Sequence, residues 1–256
     1  MIGPTLLLRF FRRELKNRFA GSLSGGVWVL LQPLLQLAVT SFVFVHVFKA
    51  RVPGADAPGY LPFLATAFWP WTAFAEALLR STTAIQDNAA LIGKVALPRE
   101  VLVVASVLSS FAIHCIGYLV ILLVLAAFGY DIHLSHLLLA LPLYLLLLSL
   151  ALGAALLCAA VQVFVRDLVQ LLGQTLPLLM FTAPVYYARD LLPEKFRGLI
   201  DLNPFTFYAE AFRGILLDYG DIPPGRIGVA VAIALLTLFV GHQVFRRLDP
   251  HFEDFL

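Results

Sequence analysis

The stretch LLLALPLYLLLLSLALGAALLCAAVQVFV, Leu137 to Val165, holds no Asp, Glu, Lys or Arg in 29 residues. A second uncharged run, Val101 to Tyr130, is 30 residues long. About 20 predominantly apolar residues are enough to carry a helix across the hydrocarbon core of a bilayer. Both runs exceed that, which makes this a polytopic membrane protein. Composition agrees: 61% of the 256 residues are hydrophobic and 13% charged, with a mean hydropathy of +0.89. Ordinary soluble domains have roughly 45–50% and about 25%. A disordered chain is excluded, and a soluble globular enzyme is a poor fit. Cys115 and Cys158 lie inside apolar runs and read as small packing residues that report no redox compartment.

Working outward from these two runs gives six candidate spans: Val27–Phe48, Tyr60–Leu79, Val101–Phe128, Leu137–Val165, Leu168–Tyr187 and Ile227–Phe245. The run after the basic N-terminal residues is too long for a signal-peptide core of about 7–15 residues and is expected to stay as a span. Ahead of it, Pro4 to Phe19 reads as an amphipathic interfacial helix. Arg9, Arg12, Arg13 and Lys16 share one face by their i, i+3, i+4, i+7 spacing, and Leu7, Phe10, Phe11 and Leu15 fill the rest, interrupted by Glu14 and Arg18.

Basic residues set the orientation, because cytoplasmic loops of membrane proteins are enriched in Lys and Arg. With both termini inside, 11 of the 18 fall on the cytoplasmic side, and the short outer loops carry only Lys49 and Arg51. The fold class is therefore an all-α integral membrane protein with six transmembrane helices, N-in and C-in. It divides into an interfacial helix and lead-in (1–26), a six-span core (27–245) and a cytoplasmic tail (246–256). No soluble module, low-complexity tract or internal repeat is evident; the lack of inverted halves sets it apart from many secondary transporters.

Few residues invite chemistry. Glu76 is the one carboxylate well inside a candidate span. It reads either as an ion or proton site or as a partner for Arg80 at i+4. Asp131, His133 and His136 put three possible metal ligands in six residues. Without a fourth ligand elsewhere, a solvated loop is the simpler account, and no metal site is expected. His46, His114 and His242 form no constellation. Gly93-Lys94-Val95 lacks the upstream glycine and the hydroxyl residue of a nucleotide-binding loop, so this chain is not expected to hydrolyse ATP.

Ala151, Ala155 and Ala159 form a small-xxx-small stripe, and Gly21 and Gly25 are spaced likewise; close helix packing explains both. Aromatics crowd the first two spans, including Phe42, Phe44, Trp69 and Trp71. They read as interfacial belts and lipid contacts, or as flat rings on which sugar faces slide. Between the last two spans, Tyr186 to Arg226 alternates apolar and charged residues and is expected to dip partway into the outer leaflet as a helical hairpin.

Arg13-Glu-Leu-Lys-Asn-Arg-Phe-Ala-Gly-Ser-Leu-Ser-Gly-Gly-Val-Trp28, then Leu31-Gln-Pro33-Leu, resembles the opening of ABC exporter permeases for lipopolysaccharide O-antigen, capsule and teichoic acid. Asn88-Ala-Ala-Leu-Ile92-Gly-Lys94-Val-Ala-Leu-Pro98-Arg99 is similar to that family's cytoplasmic segment between spans two and three. Arg166-Asp167, Pro184, Asn203-Pro204 and Arg213 match further pieces in order, while Ser24-Gly25 departs from the leucine-glycine of the pattern.

The resemblance covers nearly the whole chain. It implies a transport subunit that is not an enzyme, paired with a second copy of itself and two copies of a separate ABC ATPase subunit that carries the ATP and Mg. The implied substrate is an undecaprenyl-diphosphate-linked glycan, the location the bacterial inner membrane, and nucleic acid is not an expected partner. Asn88, Leu91, Ile92, Lys94, Pro98 and Arg99 are then candidates for ATPase coupling. Arg9, Arg12, Arg13, Lys16 and Arg18 are candidates for contact with the lipid carrier or with anionic membrane lipids. Phe42, Trp69, Trp71, Tyr186 and Tyr187 would line the channel, and Pro184, Asn203, Pro204 and Arg213 would form an outer gate segment. Two alternatives stay open: a permease of the same architecture for a drug or lipid, and a membrane enzyme acting on lipid-linked sugars through acids such as Asp131 or Asp201.

Overall fold

The computed structural model describes residues 3–19, 25–53, 59–95 and 97–255. Its regular structure is helical: α1 (Pro4–Phe19), α2 (Gly25–Phe42), α3 (Tyr60–Thr82), α4 (Ala89–Ile92), α5 (Glu100–Ala127), α6 (Leu137–Phe164), α7 (Leu168–Thr182), α8 (Glu194–Asp201), α9 (Phe205–Leu217) and α10 (Pro224–Leu248). By length and composition α5, α6 and α10 can each cross a membrane, and Leu31–Val47 and Leu168–Thr182 are shorter apolar helices. The chain is a multi-pass membrane protein. α3 is 23 residues long but carries Glu76 and Arg80.

The apolar runs become helices because no other spanning structure built from one segment satisfies its own backbone in lipid. Four contain an internal proline: Pro33, Pro70, Pro142 and Pro177. Proline removes an N–H and frees the carbonyl four residues earlier. At Pro70 that carbonyl is Thr66, and the Tyr118 hydroxyl of α5 donates to it at 2.9 Å. The helix break thus becomes an interhelical bond. α7 ends at Thr182 because Ala183 is extended (φ −93°, ψ 148°), as expected of a residue before proline. The fifth apolar helix is accordingly shorter than the run to Tyr187 suggested.

The core sits where α3, α5 and α6 meet, and α10 lies along the outer side of α6. Ala151, Ala155 and Ala159 are fully buried. A close crossing lies outside that stripe: a Cβ at Gly153 would overlap the backbone of Thr237 and Leu238, and one at Gly241 would overlap Gly153. Gly21 lies outside the described residues.

Interactions gather at two ends. At one, Arg13 donates to Asn88, Gln86 and Gln162 exchange bonds, and Arg99 grips Asp249 and Glu253. At the other, Tyr60 donates to the Tyr186 carbonyl and the His133 amide to the Leu216 carbonyl. Successive long helices run between these ends in alternating directions.

Candidate functional site

A cavity of about 760 Å³ opens between the end of α1 and helices α2, α3 and α7. α3 supplies Phe68, Trp71, Thr72, Glu76 and Arg80, α2 supplies Gln32 and Gln36, and α7 supplies Leu176, Pro177, Met180 and Phe181. Tyr186, just past the α7 break, closes the far end, and Arg18 the near one. Along α3 the lining therefore changes from aromatic to charged.

The charged end is a network across three elements. Arg18 pairs with Glu76, whose other oxygen lies 2.6 Å from His114 Nε2 on α5. Glu14 lies 3.9 Å from Arg80. The expected Glu76–Arg80 pair does not form. Each takes its partner from α1 instead, which also explains why Glu14 and Arg18 interrupt that helix's apolar side. The Arg18 side chain is 3% exposed, and one of its terminal nitrogens, Nη1, has no hydrogen-bond partner among the described residues. Burial first, and the charge of Arg80 second, lower its pKa to about 10, against the pull of Glu14. It therefore stays protonated at neutral pH and keeps a positive charge beside the cavity wall, where an anion gains more than in water.

The aromatic end is held in place by packing. Trp71 meets Phe205 of α9 edge-on at 4.8 Å, and Tyr186 stacks on Phe44 and leans on Phe181. Tyr187 donates to the Phe181 carbonyl. Phe42 is exposed on α2 and is not one of the residues lining the cavity. Trp69 is 1% exposed and its indole donates to the His114 carbonyl at 3.0 Å. One residue before the centre of the aromatic run, it points into the subunit core and not the cavity.

The N-terminal basic residues divide. Arg9, Arg12 and Lys16 are exposed, while Arg13 donates to Asn88 and crosses the Phe10 ring at 4.5 Å. Asn88 in turn donates to the Ala84 carbonyl, which fixes α1 to the turn after α3. Of the Asn88–Arg99 segment, Lys94 and Pro98 are exposed, Leu91 is half-buried and Ile92 buried. Arg99 is bound within the subunit by Asp249 and Glu253 of the tail.

Arg213 is 2% exposed and spends its whole guanidinium on backbone. Its Nε donates to Phe63 at 3.0 Å, its two terminal nitrogens to Pro184 and Val185, and its plane lies 3.5 Å over the Phe63 ring. Asn203 Nδ2 donates to Leu179 at 2.8 Å and to Thr182 Oγ1 at 2.9 Å, while its Oδ1 accepts from the Phe205 amide. Pro204 then starts α9. These four residues lie together as a pin between the α7 break and α9. The sequence did not join Arg18, Glu76 and His114, which only the fold brings together, and it gave Gln162 no place at a helix turn. Buried at 2%, Gln162 binds Gln86, Arg166 and Val169 around the α6–α7 turn.

Comparison with known proteins places the chain in a transporter family. The family model for ABC-2 type transporters matches residues 5–217. Two proteins of Klebsiella pneumoniae, each named O-antigen export system permease protein RfbA, are 26% identical over 252 residues, covering 98% of this chain and 95% of the relative. The protein of the same name in Myxococcus xanthus is 28% identical over 251 residues, 97% and 94%. This chain belongs to the ABC-2 type transporter membrane family, and it is a transport permease rather than an enzyme.

Proposed function

We propose that the chain is the permease of an ATP-driven exporter that moves a lipid-linked polysaccharide of the O-antigen class across the bacterial inner membrane. The observation that carries this is the graded cavity: a buried arginine and Glu76 at one end, rings of Phe68, Trp71, Phe181 and Tyr186 towards the other. An undecaprenyl diphosphate is anionic where the sugar begins, and the sugar faces that follow are apolar enough to slide over aromatic rings. Nearly full-length similarity to proteins named O-antigen export permeases points to the same cargo.

In this reading six helices span the membrane: α2, α3, α5, α6, α7 and α10, with α1, the Asn88–Arg99 segment and the tail on the cytoplasmic side. α8 and α9 are the partly embedded outer hairpin. Two copies form the channel and two ATPase subunits supply ATP and Mg. Exposed Lys94 and Pro98 offer themselves to the ATPase; exposed Arg9, Arg12 and Lys16 meet the lipid carrier or anionic headgroups. Channel lining falls to Trp71 and Tyr186, with Tyr187 and Phe42 at its margins.

The test is reconstitution. The permease and its ATPase, co-purified into proteoliposomes, should translocate a defined undecaprenyl-diphosphate glycan when ATP is supplied. Arg18→Gln should abolish capture of that glycan while ATP hydrolysis persists. Transport of fluorescent lipids or drugs in place of the glycan would overturn the cargo.

A further inference from the structure

We infer that His133, His136 and Asp218 form a binding site for a divalent transition-metal ion, with zinc the best match. Their ligand atoms all lie within 4.8 Å of one another. The two imidazoles come from the loop between α5 and α6, face to face at 5.2 Å with 16° between planes. The carboxylate comes from the residue just past α9, with Oδ2 3.3 Å from His133 Nε2. The sequence suggested Asp131 as the acid; the fold replaces it with Asp218.

Three features distinguish this from a chance surface cluster. First, His136 Nδ1 lies 2.9 Å from the Ile215 carbonyl. A carbonyl only accepts, so Nδ1 carries the proton and Nε2 keeps its lone pair free, the arrangement that orients histidines on metals. Second, the His133 amide donates to the Leu216 carbonyl at 2.9 Å, which fixes the loop against the end of α9 independently of either side chain. Third, Asp218 is held in the left-handed region at φ 47°, ψ 34°. Asp adopts that conformation more readily than most residues, and here its Oδ2 lies 3.3 Å from His133 Nε2.

The donor set selects the ion. Two imidazoles and one carboxylate suit zinc and its neighbours, whereas calcium and magnesium prefer all-oxygen shells. Bonds of about 2.0–2.1 Å in a tetrahedral shell put ligand atoms about 3.4 Å apart. The groups have to draw in by up to about 1.4 Å, within reach of side-chain rotation, since Asp218 is 63% exposed. Its exposed carboxylate also provides the entry path, and a water completes the fourth position. The bound ion would staple the α5–α6 loop to the end of the helix that carries Arg213.

The experiment uses the full chain in detergent, purified on a tag without histidine and stripped with chelator. Co²⁺ is titrated by visible absorption, and Zn²⁺ by displacement of the Co²⁺. One ion per chain is expected, with affinity falling at least about 10-fold in His133→Gln, His136→Gln and Asp218→Asn. Asn tolerates the left-handed turn, so Asp218→Asn removes the charge without straining the fold. Zn²⁺ should raise the melting temperature of the wild type and not of these variants, and His46→Gln with His242→Gln should bind as the wild type does. Absence of saturable binding, or equal binding by wild type and Asp218→Asn, overturns the site and leaves His133–Asp218 as a plain surface contact.

Discussion

Trp69 and Trp71 stand two positions apart on α3 and do different work. Two residues turn a helix by about 200°, so they face opposite ways. Trp69 is 1% exposed and hydrogen-bonded to α5, while Trp71 is packed at 4% exposure but forms part of the cavity wall. Trp69→Ala should cost about 3–5 kcal/mol of stability, read as a large drop in melting temperature and poor expression. Trp71→Phe keeps the packing on Phe205 but alters the wall, so it should slow glycan export in correctly folded protein. If Trp69→Phe impairs export as much as Trp71→Phe at equal stability, the division between core and cavity is wrong. The sequence made the aromatic density plain but not this division, because both tryptophans belong to one apolar run. Glu76 shows the same limit. A lone intramembrane acid is conspicuous, yet Arg18 and His114 lie 58 and 38 positions away, and only the packing of α1 on α5 and of α5 on α3 brings them to it.

Helices were legible almost to their ends, because apolar run length in a bilayer leaves little choice of structure. Pro4–Phe19 and the start of α6 at Leu137 fall where the charge pattern put them. Crossings were less legible. The alanine stripe on α6 is buried as its spacing suggested, but a backbone-to-backbone contact is made by Gly153 against Gly241, outside that stripe. Gly241→Ala introduces a methyl where backbone already stands, so it should destabilise by about 1–3 kcal/mol. Parallel melting curves in detergent would show this, and an unchanged melting temperature would mean the helices part at no cost.

The tail is a second element whose role the sequence disguised. Arg99 lay in a segment resembling an ATPase contact, yet its guanidinium is taken by Asp249 and Glu253. Arg99→Gln and the pair Asp249→Asn/Glu253→Gln should therefore impair the protein equally, and their combination no further, because each removes the same clamp. Additive losses of coupled ATP hydrolysis would return Arg99 to the ATPase surface.

At the scale of the molecule, the cavity raises the question of what covers it. Its wall presents Gln32, Gln36, Arg18 and Glu76, groups that are costly against hydrocarbon unless protein or water meets them. The rims on either side are apolar: Leu35, Val39 and Phe42 are exposed on α2, and Leu171, Leu178 and Phe181 on α7. A polar cleft framed by apolar rims fits closure by a second copy, since a two-fold dimer presents the same rims to each other. α10 offers the contrast. Its exposed Val229, Leu235, Leu236 and Phe239 form an apolar face with no cleft behind it, suited to lipid. In a background with Cys115 and Cys158 replaced by serine, cysteine at Val39 or Leu178 should join two copies through a short bis-maleimide in native membranes. Cysteine at Leu236 or Phe239 should leave the chain monomeric on the gel. Linkage through α10 and not through α2 or α7 would move the dimer contact to the other side of the molecule and leave the cavity facing lipid.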